Sequence, residues 1–314
     1  MLSGVGSALV FSMAGAYIGD MAPLGSERRY MGVFGLFDFL GFGIGPLLGG
    51  VIRDQADIDT VFLAMALLFS AATLVILILL PRAVRQPGGA GQQARREVSG
   101  PASRAVVLRN RYMQALFAVR VATSASLGAT FSFIAVFMEE DLLVSSTMVG
   151  LVLAAEQFAG GVLQPVVGVA ADRLGRRLMI VVGATFVALG AVTPVLVASY
   201  WPIFVAYLIG IGAGGAVVNV ASRAIEVEVV RRLGMATVMS LNSTAFAARV
   251  LVGSLGGGAI AEIGTTQDAF LAAFIALVAG TLFFVLRTAG VGTALTETGL
   301  DEGRGEPAGG RVDA

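Results

Sequence analysis

The sequence predicts an all-α, polytopic transmembrane bundle, and three observations predict it. Of the 314 residues, 56% are hydrophobic and 13% are charged, with a mean hydropathy of +0.86. A water-soluble domain cannot bury that much apolar surface, so lipid must cover it. Apolar runs of roughly 20 residues, the length a helix needs to cross a hydrocarbon core of about 30 Å, recur along the chain. Those runs are dominated by Gly, Ala, Leu and Val without strand-like alternation, which argues for helices over a lipid-facing β-barrel.

Nine spans follow, each bounded by charge. Residues 1–19 precede Arg28-Arg29, and 30–52 runs from that pair to Arg53-Asp54. Residues 60–80 begin after Asp57 and Asp59 and lead into a stretch with seven Arg between Arg82 and Arg111. Residues 112–138 end at Glu139-Glu140-Asp141, and 147–171 at Asp172-Arg173. Residues 178–198 follow Arg176-Arg177, 202–222 end at Arg223, 235–261 follow Arg231-Arg232, and 268–288 close at Arg287.

The net charge is zero, yet its distribution orients the chain. All 21 basic residues are Arg, and they gather after the first, third, fifth and seventh spans. Those loops are expected in the cytoplasm of a plasma (inner) membrane protein, and the loops carrying Arg53 alone or the acids at 54–59 and 139–141 outside. The Gly-rich tail, residues 289–314, reads as disordered and cytoplasmic.

The chain lacks Cys, His and Lys altogether. That excludes a phosphate-binding P-loop, a lysine Schiff base, a Ser-His-Asp triad and the usual zinc or haem ligands. No paired Asp, Glu, Ser or Tyr motif suggests an enzyme, and no cofactor or metal is expected. Energy for work would come from an ion gradient or from the solute's own gradient. The expected organisation is a partial N-terminal bundle of three spans (1–80), a hydrophilic Arg-rich linker (81–111), a six-helix bundle (112–288) and the tail. The linker reads as a solvated basic tether near anionic lipid, with no nucleic-acid role.

Across the linker, Gly45-Pro-Leu-Leu-Gly-Gly50 lines up with Gly253-Ser-Leu-Gly-Gly-Gly258 at an offset of 208 residues, each copy in a span entered through an Arg-Arg pair. Repeated halves are expected of secondary transporters. If the offset holds, the half starting at Arg111 has a counterpart three spans longer than the chain supplies.

Within the first copy, Gly41, Gly45 and Gly49 fall every four residues on one helical face, where another backbone can approach, and Pro46 bends the span. Ordinary glycine-mediated helix packing is the alternative. Between two spans, Gly168-Val-Ala-Ala-Asp172-Arg173-Leu-Gly175-Arg176-Arg177 places one acid among three Arg. Asp172 follows one helix and precedes another, so it can stabilise a helix N-terminus or pair with a neighbouring Arg, and Gly175 permits a left-handed turn. The segment reads as a latch between two states, or as a positive-inside anchor, which explains the Arg residues but not Asp172 or the glycines.

Four charges fall within spans: Asp38, Arg120, Glu156 and Arg249. Facing lipid, each costs about 2.5–3.5 kcal/mol, so they should face the bundle interior or a watery cavity. Glu156 is the first candidate for accepting a proton, with Gln157 and Gln164 nearby on its helix. Arg249, seven residues after Asn242, is the candidate counter-charge. A structural ion pair is the alternative. Asp38 and Arg120 lie nearer the cytoplasmic side, where an interdomain contact competes with a transport role. Tyr207, Asn219 and the Phe residues of 112–138 line a cavity or pack.

The motifs resemble the major facilitator superfamily, and within it the drug:proton antiporters, over about residues 4–288. Gly41 to Gly50 is similar to the antiporter motif of the family's fifth helix, and Gly168 to Arg177 to the loop between its eighth and ninth. Gly4-Val-Gly-Ser-Ala8 is similar to the end of the fourth-helix motif, so the chain is expected to begin inside a motif, as a fragment or with a mis-assigned start. The resemblance implies two six-helix bundles, the first lacking its first three helices, and the face of Gly41 to Gly50 keeping the bundle contact leak-proof. It implies alternating access by a monomer within the bilayer, exporting a small organic compound in exchange for protons. A sugar or metabolite carrier of the same fold, or a truncated non-transporting membrane protein, is the alternative.

Overall fold

The computed structural model describes residues 27–79, 111–222 and 251–289. Among them are eight helices and no strand. They are α1 (Glu27–Gln55), α2 (Ile58–Leu79), α3 (Arg111–Val136, closed by a π-helical turn Phe137–Asp141), α4 (Ser146–Leu174) and α5 (Arg176–Leu196). Then come α6 (Tyr200–Ala206, continued by a π-helical stretch Tyr207–Gly214 and helical to residue 222), α7 (a π-helical turn Leu251–Leu255, then Gly256–Ile263) and α8 (Thr266–Thr288). Six are long and apolar enough to cross a membrane: Ile58–Leu79, Gln114–Asp141, Ser146–Ala170, Arg176–Leu196, Tyr200–Ser222 and Thr266–Thr288. The expected span 30–52 lies within α1. The expected span 1–19, most of 235–261, the linker beyond residue 79 and the tail beyond 289 lie outside the described residues.

Local chemistry sets the helix ends. Asp57 Oδ1 accepts from the Thr60 backbone N–H at 2.7 Å and starts α2. Ser145 Oγ accepts from Met148 N–H at 3.3 Å at the start of α4. A reciprocal capping box between Thr265 and Asp268 opens α8. Each satisfies N–H groups that a helix's first turn leaves without partners. Between α4 and α5 the only non-helical residue is Gly175, at φ 88°, a conformation that penalises a Cβ.

Two sequence expectations need correction. Glu139, Glu140 and Asp141 are not in a loop: they form the π-helical end of α3. Asp172 and Arg173 do not lie between helices either, because α4 runs to Leu174 and breaks only at Gly175. A single left-handed glycine suffices to turn the chain, so the motif's charges divide between the last turn of α4 and the first of α5.

Helices α3 to α8 pack together, with α8 against α3 and α5, α6 against α4 and α5, and α7 on α3. Two apolar cores result. One gathers Phe137, Met138, Val152, Val187, Ile203, Tyr207 and Phe270 toward the acidic helix ends. The other gathers Leu116, Val119, Ile180 and Phe284 toward the ends bearing Arg176, Arg177 and Arg287. Phe137 meets Phe270 edge-on, with ring centroids 5.7 Å apart, so this Phe packs rather than lines a passage. At the acidic end Trp201 is exposed beside Tyr200 and Phe204, an aromatic cluster suited to a membrane–water boundary.

Helix α1 lies along α4, whereas α2 touches α1 and buries none of its residues. Its 22 residues span about 33 Å at the helical rise of about 1.5 Å, matching a hydrocarbon core.

Candidate functional site

The contact between α1 and α4 is built by small residues. A Cβ placed on Gly150 would lie 2.5 Å from the carbonyl oxygen of Pro46, and one on Gly50 would run into the carbonyl of Ser146. Backbone therefore rests on backbone at two levels. The face that does this carries Gly43, Pro46 and Gly50, with Gly43 against the Phe158 ring. It is not the face named from the sequence: a Cβ on Gly41 or Gly45 meets nothing within 4 Å among the described residues, and one on Gly49 meets only Val61 at 3.9 Å. Spacings of three and four both follow a helical face, and the Pro46 kink leaves the choice to tertiary contact.

Above this contact, at the acidic end, charged groups close the seam. Arg53 Nη1 donates to Glu139 Oε1 at 2.7 Å. The same oxygen accepts from Ser146 Oγ at 2.8 Å. Asp54 reaches across α1's end to the first turn of α4, accepting from Ser146 N–H at 2.9 Å and Thr147 N–H at 2.7 Å. The Thr147 side chain and N–H, with smaller contributions from the Ser146 N–H and Ser145, hold the Asp54 carboxyl down at about 2 against the opposing effect of desolvation. A helix from before the linker thereby caps a helix from after it, where the helix dipole also favours a negative charge. None of Arg53, Asp54, Glu139 or Ser146 was singled out as a site from sequence. Arg53 and Glu139 are 86 positions apart, and the only trace was a lone Arg in an otherwise acidic set of loops.

Ten residues into α4, about 15 Å from its start, Glu156 is 5% exposed. Gln157 Nε2 lies 3.4 Å from Glu156 Oε1, at the long limit of a hydrogen bond. Thr123, Ser126 and Thr130 are buried on α3. Val149, Val152, Leu153, Glu156 and Gly160, all buried, share one face of α4. Opposite stands the π-helical part of α6: a Cβ on Gly212 would sit 2.5 Å from the Glu156 carbonyl oxygen. Tyr207 is fully buried, and its hydroxyl has no hydrogen-bond partner among the described residues. Leaving a buried hydroxyl unpaired costs about 1–3 kcal/mol, which marks the position as one needing an explanation. Asn219 Oδ1 and the Ser222 hydroxyl, farther along α6, are also buried with no hydrogen-bond partner among the described residues.

The remaining sequence candidates distribute as follows. Gln164 and Arg120 are half-buried on α4 and α3. The side chains of Asp38, Asp172 and Arg173, and the whole of Asn242 and Arg249, lie outside what the structure describes, so it does not bring Arg249 to Glu156. Gly168 meets only Val220, at 4.0 Å. Arg176 starts α5, and Arg177 Nη2 donates to the Val285 carbonyl at 3.1 Å in the last turn of α8, where a cation suits the negative helix end.

The family model described as Major Facilitator Superfamily matches residues 1–137 and again 116–304. An uncharacterised MFS-type transporter of Methanocaldococcus jannaschii is 24% identical over 263 residues, 84% of this chain and 67% of that protein. Citrate exporter 1 of Aspergillus niger is 32% identical over 90 residues, 29% of this chain and 17% of the exporter. With a helical bundle, six membrane-length helices and one family description covering nearly all its length, this chain belongs to the Major Facilitator Superfamily.

Proposed function

We propose that the chain is a non-enzymatic secondary transporter working by alternating access, which exports a small organic or drug-like compound in exchange for protons across the plasma membrane, with its C-terminus in the cytoplasm. The observation that carries the reading is Glu156, a carboxyl held inside an apolar bundle at mid-depth. A charge is costly at that depth, so a carboxyl kept there is suited to taking up and releasing a proton. The seam of Arg53, Asp54 and Glu139 supports the same reading, for it shuts one end of the α1–α4 contact and leaves the other end to the Arg-bearing helix ends. On this reading the acidic end is the outer one, and the seam holds it closed. Arg249 is the counter-charge proposed for Glu156, and the Gly168–Arg177 segment the latch at the opposite end. Asp38, Arg120, Gln157, Gln164 and Asn242 are proposed to line or flank the pathway, with the chain functional as a monomer.

The 90-residue similarity to a protein named a citrate exporter favours a second reading, in which the solute is a small metabolite. One experiment tests coupling under both: efflux of fluorescent dyes and of radiolabelled organic acids from cells expressing the chain, with and without a protonophore. Efflux that stops when the proton gradient collapses, and is lost in Glu156→Gln and in Asp172→Asn with membrane insertion intact, is expected. Efflux indifferent to the protonophore would sink proton exchange.

A further inference from the structure

We infer that the hydroxyls of Ser132 on α3 and Ser254 on α7 form one subsite for the solute, a pair of hydrogen-bond acceptors suited to an N–H or O–H group and unsuited to a carboxylate. The inference rests on the reading of the chain as a carrier and names the kind of group it takes. The two oxygens stand 3.0 Å apart, although their residues are 122 positions apart in the chain. Glycines allow the approach. The π-helical turn Leu251–Leu255 carries Gly253, where a Cβ would run into the Ala125 carbonyl, and a turn later a Cβ on Gly257 would lie 2.7 Å from the Phe133 ring. Proton count then sets the direction of the bonds. Ser132 Oγ donates to the Gly128 carbonyl at 2.8 Å, and a hydroxyl has one proton to give. Within the pair Ser254 is therefore the donor, and its proton is spent on Ser132. Both oxygens keep lone pairs for a further group. A solute N–H or O–H can bond to them, whereas an ionised carboxylate has no proton to offer.

The pair also faces the seam rather than the bundle core. Ser132 is exposed and Ser254 half-buried. Glu139, seven residues or two turns after Ser132, lies near the same face of α3, and it is Glu139 that meets Arg53 of α1. Phe137, which meets Phe270 of α8, lies well round the helix from Ser132. The hydroxyls therefore stand about 10 Å along α3 beneath the seam, on the side turned toward α1. A solute held between the two parts of the chain would pass them.

The test has two arms on the full chain, which has no native cysteine. Ser132→Cys and Ser254→Cys each set one thiol at the subsite. A membrane-impermeant methanethiosulfonate cation should modify both from the cytoplasmic face of inside-out vesicles, because a thiol against acyl chains stays unreacted. Selectivity is read with two rhodamine methyl esters of equal charge, one with free amino groups and one with every amino hydrogen replaced by methyl. The double variant Ser132→Ala, Ser254→Ala should weaken binding of the amino dye about tenfold and leave the methylated dye within about twofold. Equal loss for both dyes, or loss for neither, overturns the subsite and leaves the carrier standing. Thiols that both stay unreacted set the pair against lipid and overturn it too. Binding of neither dye to the unsubstituted chain overturns the drug-like reading itself.

Discussion

Asp54 is the residue on which the seam between α1 and α4 turns, because one carboxylate satisfies two N–H groups that the first turn of α4 would otherwise leave bare. Its carboxyl lies at about 2, below the ordinary 3.8. A depressed value means that its contribution is complete above the ordinary value and is lost only as pH falls through about 2. Acidification across the physiological range should therefore leave this contact intact. Hydrogen exchange at the Ser146 and Thr147 amides, corrected for intrinsic rate, should show constant protection from about pH 8 to about pH 5, with loss toward the acid extreme or in Asp54→Asn. Protection that already falls near pH 6 would place a different titrating group in control. Arg53–Glu139 is the weaker partner. It is partly exposed, at 45% and 20%, and such pairs contribute about 0–1 kcal/mol.

At the scale of the helices, α1 and α4 approach closely because Gly50 and Gly150 carry no side chain. Gly150→Ala sets a methyl group 2.5 Å from the Pro46 carbonyl, and overpacking of this kind costs about 1–3 kcal/mol. Gly41→Ala, whose methyl meets nothing within 4 Å among the described residues, should stay within about 0.5 kcal/mol. Thermal unfolding of the two variants in detergent separates them, and equal effects would refute the packing register. The six membrane-length spans among the described residues were readable in advance, since lipid imposes length and apolarity on every helix that crosses it. The glycine face was not, because Gly41, Gly43, Gly45, Gly49 and Gly50 offer two overlapping stripes and only the neighbour selects one. Nor was the seam readable: pairing Arg53 with Glu139 needs the mutual placement of α1 and α3. Glu156 was legible by cost alone, as a charge submerged in a span. Tyr207 could equally line a cavity or pack by sequence, and only its burial with no hydrogen-bond partner for the hydroxyl among the described residues sets it apart.

Taken whole, the molecule joins a tight glycine contact to a seam of modest strength, which is what a reversible closure requires. A carrier must exchange states within its turnover time, so the closed end cannot be held by more than a few kcal/mol beyond its alternative. Helix α2, with none of its residues buried, packs against α1 among the described residues. On the proposed alternating-access mechanism, the two cores of α3 to α8 would hold that half together while α1 moves against α4.

The most direct measurement is the distance between spin labels on Ala56→Cys and Leu143→Cys, exposed positions flanking the seam in a chain with no native cysteine. The account predicts two distances, the shorter matching this structure, with Asp54→Asn shifting the population toward the longer. A single short distance, unchanged by Asp54→Asn, would contradict it.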